Sequence, residues 1–259
     1  MLLANGDHVE TATARPQLTA RLDHVSLTFP NGTTALSDVS IDLAQGEFVS
    51  LLGPSGCGKS TVLRLLAGFE APSDGDVLTE DVPLGYVFQE PTLLPWRTAL
   101  ANVLLPAQLA GLDRDEARRR AMDALGVVGL TDFAAHRPAQ LSGGMKMRVA
   151  IARALTLTPR LFLFDEPFGA LDEITRQRLN EDLSALWMRE SFTGLFVTHS
   201  VAEALFMSSR VIVMSGRPGR VATSVEVPFP FPRPPELRYE PAFAELAGEL
   251  SETLRGASG

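Results

Sequence analysis

Gly53-Pro54-Ser55-Gly56-Cys57-Gly58-Lys59-Ser60 is a glycine-spaced run that ends on a lysine and a hydroxyl. Glycines at this spacing let successive backbone N–H groups point inward as an anion nest, and a helix starting behind them adds its positive dipole. Such a loop grips a polyphosphate. Lys59 would reach the β- and γ-phosphates, the Ser60 hydroxyl would go to Mg2+, and Thr61 is a further phosphate contact. The same letters fit a plain glycine-rich turn between strand and helix, so the flanking elements carry the decision.

Leu161-Phe162-Leu163-Phe164 runs straight into Asp165 and Glu166. A buried strand that ends in paired carboxylates sets a metal holder beside a base: Asp165 for Mg2+, directly or through water, and Glu166 to polarise an attacking water. Taken alone, such a pair also serves as a helix cap or a solvated turn. Leu141-Ser142-Gly143-Gly144 precedes Met147, Ile151, Ala154 and Leu155 at the spacing of one helix face, so Ser142 and its glycines open a helix. One chain needs a single phosphate cradle, so this end is either an ordinary cap or a contact to nucleotide held by another copy.

The elements that must position these groups are legible as periodicities. Phe48 to Leu52 is a short apolar run, suited to a parallel strand buried on both faces, and it leads directly into Gly53. Val62, Leu65 and Leu66 then fall at helical spacing, with Gly68 placed to end the helix. Val25, Leu27 and Phe29 alternate with polar residues as in a half-buried strand, and Pro30-Asn31-Gly32 turns the chain toward a second strand ending near Leu43. Similar short strands are predicted at 85–88, 161–164, 195–197 and 211–214, with helices between several of them, so the main lobe is α/β. Between Pro91 and Ala139 the strand signal stops, and Ala117, Ala121, Ala124 and Leu125 recur at helical spacing behind an Asp113-to-Glu116 capping pattern. This predicts an inserted helical lobe at 91–139 within a domain spanning 18–215. Residues 1–17 read as a flexible lead-in, and 216–259 as a short, initially proline-rich tail with a helix over 243–254.

Composition bounds the rest. The 259 residues suffice for a full core, and Lys and Arg number 23 against 31 Asp and Glu, a net charge of −8. That balance argues against a surface for non-specific binding of nucleic acid or anionic lipid, so anionic ligands need a local site. Cys57 is the single cysteine, which excludes an internal disulfide and a multi-cysteine metal cage and fits a reducing cytoplasm. No apolar run reaches the roughly 18 to 20 residues needed to span a bilayer, and the first residues lack the pattern of a signal peptide. A membrane link is expected only through a partner.

The wording and order of GPSGCGKST (53–61), VFQ (87–89), LSGG (141–144), LFLFDEP (161–167), GALD (169–172) and VTHS (197–200) closely resemble the ATP-binding-cassette ATPases, over about residues 20–215. The resemblance implies a P-loop NTPase core with an antiparallel β subdomain and an inserted helical subdomain. It implies a head-to-tail homodimer that sandwiches ATP and Mg2+ at shared sites. One copy would give the phosphate loop, Asp165, Glu166, Gln89 and His199; the other would give Ser142, Gly143 and Gly144, with Asp172 near the contact. Gln89 would sense Mg2+ and the γ-phosphate, His199 would contact that phosphate and hold the attacking water, and Phe29 would stack on adenine, where Tyr is commoner. Without the resemblance Gln89 and His199 are ordinary polar residues and Phe29 is core.

Departures from the family pattern are a short stretch between Gly75 and Gly85, Met145 in place of Gln after LSGG, and Met147 at a commonly polar position. PTLLPWR (91–97), LSGGM and PFGALD (167–172) resemble the nitrate, sulfonate and taurine importer group. There the family docks a coupling helix of its membrane permease near Leu93, Leu94 and Trp96; on its own, Trp96 also fits lobe core. The resemblance therefore implies an importer motor at the inner face of a bacterial membrane, with permease subunits as direct partners and a solute-binding protein as an indirect one. DNA-maintenance relatives carry a long coiled-coil insertion and translation-factor relatives carry paired cassettes. This sequence has neither feature, and a phosphate-loop kinase would lack LSGG.

Overall fold

The structure is a computed structural model that describes residues 17–257. The predicted lead-in at 1–17 lies, apart from Gln17, outside the described residues. Alternating burial turns the first predicted strand into β1 (Leu18–Thr28), which pairs antiparallel with β2 (Thr34–Ala44). The connecting turn is held by Asn31, whose side chain accepts from the Thr33 amide at 3.0 Å. A further strand, β4 (Asp74–Thr79), pairs antiparallel with the other edge of β1, giving the sheet order β2-β1-β4. The short stretch before Gly85 therefore contributes one strand to this sheet.

The larger sheet comprises β3 (Phe48–Leu52), β5 (Leu84–Val87), β6 (Leu161–Asp165), β7 (Thr193–Thr198), β8 (Arg210–Met214) and β9 (Val221–Glu226). Its strand order is β5-β6-β7-β3-β8-β9. All pair in parallel except β9, which lies antiparallel on β8. Parallel strands are covered on both faces, and β3 is buried at every residue. Parallel alignment also delivers the ends of β3, β6 and β7 to one edge of the sheet, where an open α/β sheet binds its ligand.

Between the two sheets lies α1 (Lys59–Leu66), whose Val62, Leu63, Leu65 and Leu66 join a core shared with β1, β2 and β3. The opposite face of the large sheet is aromatic. Phe162 stacks on Phe164 at 5.3 Å, and Phe48 and Phe196 pack around them. Each such buried ring contributes about 1.5–3 kcal/mol by removal from water. They are covered by α5 (Gly143–Leu155) and α6 (Glu173–Glu190).

The inserted segment forms α2 (Ala99–Val103), α3 (Leu105–Leu109) and α4 (Arg114–Val127). Asp113 caps α4 by accepting from the amides of Asp115 and Glu116. The lobe's apolar cluster includes Val149 and Ala152, whereas Met147, Ala150 and Ile151 on the same helix pack into the sheet core. Helix α5 thus belongs to both bodies, and the lobe extends past the boundary predicted at 139.

The boundary predicted at 215 cuts the sheet, because β9 completes its edge. Residues beyond β9 fold back as well. Helix α8 (Pro241–Ala257) buries Phe243 and Leu250 against Leu205, Val211 and Val213, covering α7 (Val201–Met207). Arg233, only 6% exposed, donates to the carbonyls of Leu205, Phe206 and Ser208 at 2.6, 3.1 and 2.9 Å and lies 3.8 Å from the Phe231 ring centre. Its guanidinium closes the C-terminal end of α7, and burial lowers its pKa to about 10. Among the described residues, no helix is long and apolar enough to cross a membrane.

Candidate functional site

The loop after β3 wraps a lysine. Lys59, 5% exposed, donates through Nζ to the carbonyls of Gly53 and Pro54 at 2.8 and 3.0 Å. Gly58 sits just before α1 at φ +100°, where a Cβ would fall 2.6 Å from Leu36 Cδ2; both conformation and space require glycine. The Cys57 side chain is buried beneath the loop, where desolvation raises its thiol pKa. It is core rather than nucleophile.

A cleft of about 380 Å³ opens over the loop, lined by Ser55, Gly56, Gly58, Lys59, Ser60 and Thr61. Phe29, Thr33 and Ala35 form one side of the cleft, and Gln89, Glu166 and Arg217 complete its rim. Phe29 is half-buried against the core and still presents surface to the cleft, as a base-stacking ring must. Gln89 is exposed there.

The carboxylate pair divides its labour by backbone. Asp165 ends β6 in regular strand geometry and accepts from the Ser60 hydroxyl at 2.9 Å and the Tyr86 hydroxyl at 3.3 Å. Burial raises its pKa despite both bonds. Glu166 takes φ +45°, a left-handed conformation uncommon for a residue with a side chain, and its amide donates to Val197 O at 3.1 Å. The turned backbone sets Glu166 Oε1 3.8 Å from Lys59 Nζ and Oε2 3.5 Å from His199 Nδ1.

Residue His199 follows β7 and is half-exposed. The preceding Thr198 is buried, donates to Glu203 Oε2 at 2.5 Å and accepts from the Ser200 amide at 3.0 Å, so the chain around His199 is fixed. Glu203 is itself buried, its Oε1 has no hydrogen-bond partner among the described residues, and desolvation raises its pKa.

Ser142, Gly143, Gly144 and Asp172 do not line this cleft. Ser142 caps α5, accepting from the Met145 amide at 3.3 Å, and Asp172 caps α6, accepting from Thr175 at 3.0 Å. Ser142, Gly143 and Asp172 face solvent, and beside Asp172 stands Ile174 with 83% of its surface exposed.

Tyr86, Arg153 and Arg217 lie outside the sequence motifs. Arg153, on α5, donates to Thr92 O at 2.8 Å and Pro91 O at 3.1 Å, so it holds the segment just after Gln89. A half-buried, desolvated arginine whose acceptors are Thr92 Oγ1 and two main-chain carbonyls of a distant segment leaves no charge pattern in the sequence. Trp96 is 68% exposed and is not lobe core; Leu93 takes that place. Asn102, fully buried, fixes the loop below Trp96 by bonding Leu94 at both N and O, with further donation to Arg97 O and Thr98 O.

As a metal holder the site offers the Ser60 hydroxyl and the Asp165 carboxylate, already within hydrogen-bond reach of one another. No cluster of acidic, histidine or cysteine ligands sufficient to cage an ion exists among the described residues. Hard oxygen donors in that number fit Mg2+, which takes one or two carboxylates and completes its shell from substrate phosphates.

A glycine-wrapped lysine after a parallel strand, with acidic residues at the end of a second strand and a histidine at the end of a third, defines a phosphate-loop nucleotide hydrolase. The sequence profile of the ABC transporter family matches residues 36–169, and the chain belongs to that family as an ATP-binding ATPase. It is 42% identical to a taurine import ATP-binding protein of Rhizobium johnstonii, over 92% of this chain and 99% of that one. A taurine import ATP-binding protein of Yersinia pestis is 45% identical, over 76% of this chain and 80% of its own. Among solved structures, an ATP-binding cassette in a dimeric post-hydrolysis state bound to ADP and Pi superposes with TM-score 0.72 at 34% identity. The match covers 81% of this chain and 99% of the cassette. The cbiO1 protein of Clostridium perfringens, part of an ABC transporter complex, gives TM-score 0.76 at 25% identity over 91% and 99% of the chains.

Proposed function

We propose that this chain is the ATP-hydrolysing subunit of an importer. On this reading it pairs head-to-tail with a second copy on binding ATP and drives membrane permease subunits from the inner face of the membrane. The observation that carries the reading is the division of the phosphate-binding parts. The cradle of Lys59, Ser60 and Thr61 opens on one cleft, while Ser142 and Gly143 open α5 toward solvent outside it. An exposed glycine-rich helix end, near the exposed Ile174, is a surface fitted to a partner's triphosphate.

In the closed pair, Lys59 and the loop amides hold the β- and γ-phosphates, with Ser142, Gly143 and Gly144 of the other copy facing the γ-phosphate. Ser60, Asp165 and Gln89 would hold Mg2+, which would supply charge neutralisation to the triphosphate. Glu166 takes the proton of the attacking water, and His199 orients that water and the γ-phosphate. Closure pulls the attached permeases together and hydrolysis releases them, so the free energy appears as motion. Trp96, exposed on a loop that Asn102 holds rigid, anchors the permease. The relatives that import taurine support a small sulfonate or similar anion as the transported solute.

The test is the mass of Glu166→Gln in solution with ATP and Mg2+. A dimer that dissociates when ATP is withdrawn is expected. A strictly monomeric protein at tens of micromolar, with ATP bound, overturns the shared-site reading.

A further inference from the structure

The turn after β8, Ser215-Gly216-Arg217-Pro218-Gly219-Arg220, lies outside the motifs of the nucleotide cradle, yet it is fastened to that cradle. Gly219 donates to Ala35 O at 2.9 Å and accepts from the Ser37 amide at 3.0 Å, lacing the turn to the start of β2. A Cβ at Gly219 would lie 2.0 Å from Cys57 O, so only glycine allows this approach to the phosphate loop. Bonds between Ser215 and Arg220 close the turn from below: the Ser215 amide donates to Arg220 O at 2.9 Å, and its hydroxyl accepts from the Arg220 amide at 3.1 Å.

Fixed in this way, Arg217 reaches across the loop. Its Nε donates to Gly56 O at 2.7 Å, and a side chain added at Gly56 would meet Nη2 at 2.9 Å. The guanidinium is exposed and lines the same cleft as Lys59 and Ser60. Its terminal nitrogens have no protein partner among the described residues. They are planar donors, the geometry that matches phosphate oxygens.

Charge balance gives this cation a purpose. Glu166 lines the cleft and Asp165 lies behind it, bonded to the lining Ser60, so Lys59 stands against two nearby carboxylates in a chain whose net charge is −8. A polyphosphate entering that field needs a further positive group close to the loop. We propose that Arg217 is a nucleotide-binding residue. It braces the phosphate loop through the Gly56 carbonyl and gives its remaining donors to the polyphosphate of a nucleoside di- or triphosphate. The proposal rests on residues 53–61 being the nucleotide cradle.

The experiment titrates the fluorescent nucleotide MANT-ADP, with Mg2+, into wild-type protein and the variants K59A, R217A, R217K and R217Q. Wild-type protein that fails to bind sinks the cradle itself; binding that survives in wild type and collapses in K59A leaves Arg217 as the open question. With the cradle intact, R217A weakens binding about ten-fold. R217K recovers most of that loss because the charge returns, and R217Q does not. The weakening of binding between about 50 and 200 mM salt is shallower in R217A and R217Q than in wild type. The KM for ATP in R217A rises by a factor similar to that in the dissociation constant. Affinity in R217A within about two-fold of wild type overturns the proposal. So does full recovery by R217Q, which would leave Arg217 a brace without a phosphate contact. Should R217A fold poorly, the contrast between R217K and R217Q decides alone.

Discussion

The hydroxyl of Ser60 donates to Asp165 Oδ1 at 2.9 Å, joining the first turn of α1 to the end of β6 across 105 positions of chain. The oxygens that would share an ion are thus held together before one arrives, and burial keeps the carboxyl harder to ionise than an ordinary aspartate. Asp165→Ala is expected to lose the Mg2+-dependent part of nucleotide affinity. Titrating ADP with Mg2+ and with EDTA measures it: the wild type separates the two curves, and the variant brings them together. Equal Mg2+ enhancement in both proteins would remove Asp165 from the metal site.

Lys59 is nearly buried, and its charge is met by main-chain carbonyls and by Glu166 at 3.8 Å. Lys59→Ala should raise the dissociation constant for ATP at least ten-fold, equivalent to about 1.4 kcal/mol or more. Calorimetric titration checks it, and an unchanged constant would mean that the loop amides suffice.

Glu166 and His199 stand 3.5 Å apart through Oε2 and Nδ1. In the proposed mechanism Glu166 is the general base and His199 positions its water, and losing general-base catalysis costs on the order of 10²–10⁴ in rate. Single-turnover hydrolysis of bound ATP should slow by at least about 100-fold in His199→Ala and in Glu166→Gln. In the proposed mechanism both groups serve one water, so the double variant should be little slower than the singles. Multiplicative losses would show that they act on separate steps.

Glu203 gives the folded state a pH dependence. Burial raises its pKa above the ordinary 4.5, so between that value and its folded pKa the native protein holds a proton that the unfolded chain has lost. Its contribution is complete below 4.5 and is lost as pH rises through the folded value. Thermal melts of Glu203→Gln from about pH 4 to 8 should decline less with rising pH than those of the wild type. Parallel curves would mean that Glu203 is ionised in the folded state throughout.

Arg233 closes the carbonyl end of α7, the helix that begins beside His199. Arg233→Ala leaves those carbonyls buried without donors, at about 1–3 kcal/mol for each group that water cannot reach. Urea denaturation should show a midpoint shift worth at least about 2 kcal/mol. A loss below about 0.5 kcal/mol would place the tail among surface features.

Local patterns made the cradle legible. The apolar run of β3, the glycines before Lys59 and the carboxylates after Phe164 are contiguous, so their geometry follows from a few neighbouring residues. Tyr86 bonds a carboxylate in a neighbouring strand, Arg153 bonds carbonyls 61 and 62 positions away, and Arg217 bonds Gly56 across 161. None of those partners is adjacent in sequence, and arginines on carbonyls leave no charge pattern to find. Strand β9 escaped for a related reason: as a half-buried edge it alternates weakly, and only its pairing with β8 defines it.

The Ser142 hydroxyl has one hydrogen and two lone pairs, and the Met145 amide occupies one of the lone pairs. The hydrogen remains to be given away. Holding the helix and greeting an oxyanion are therefore compatible tasks for a single atom, and the first restricts the rotor that serves the second. In the proposed head-to-tail pair, docking a neighbouring copy would require no local unravelling at Ser142, so the ordering cost of that contact would be met when the monomer folds.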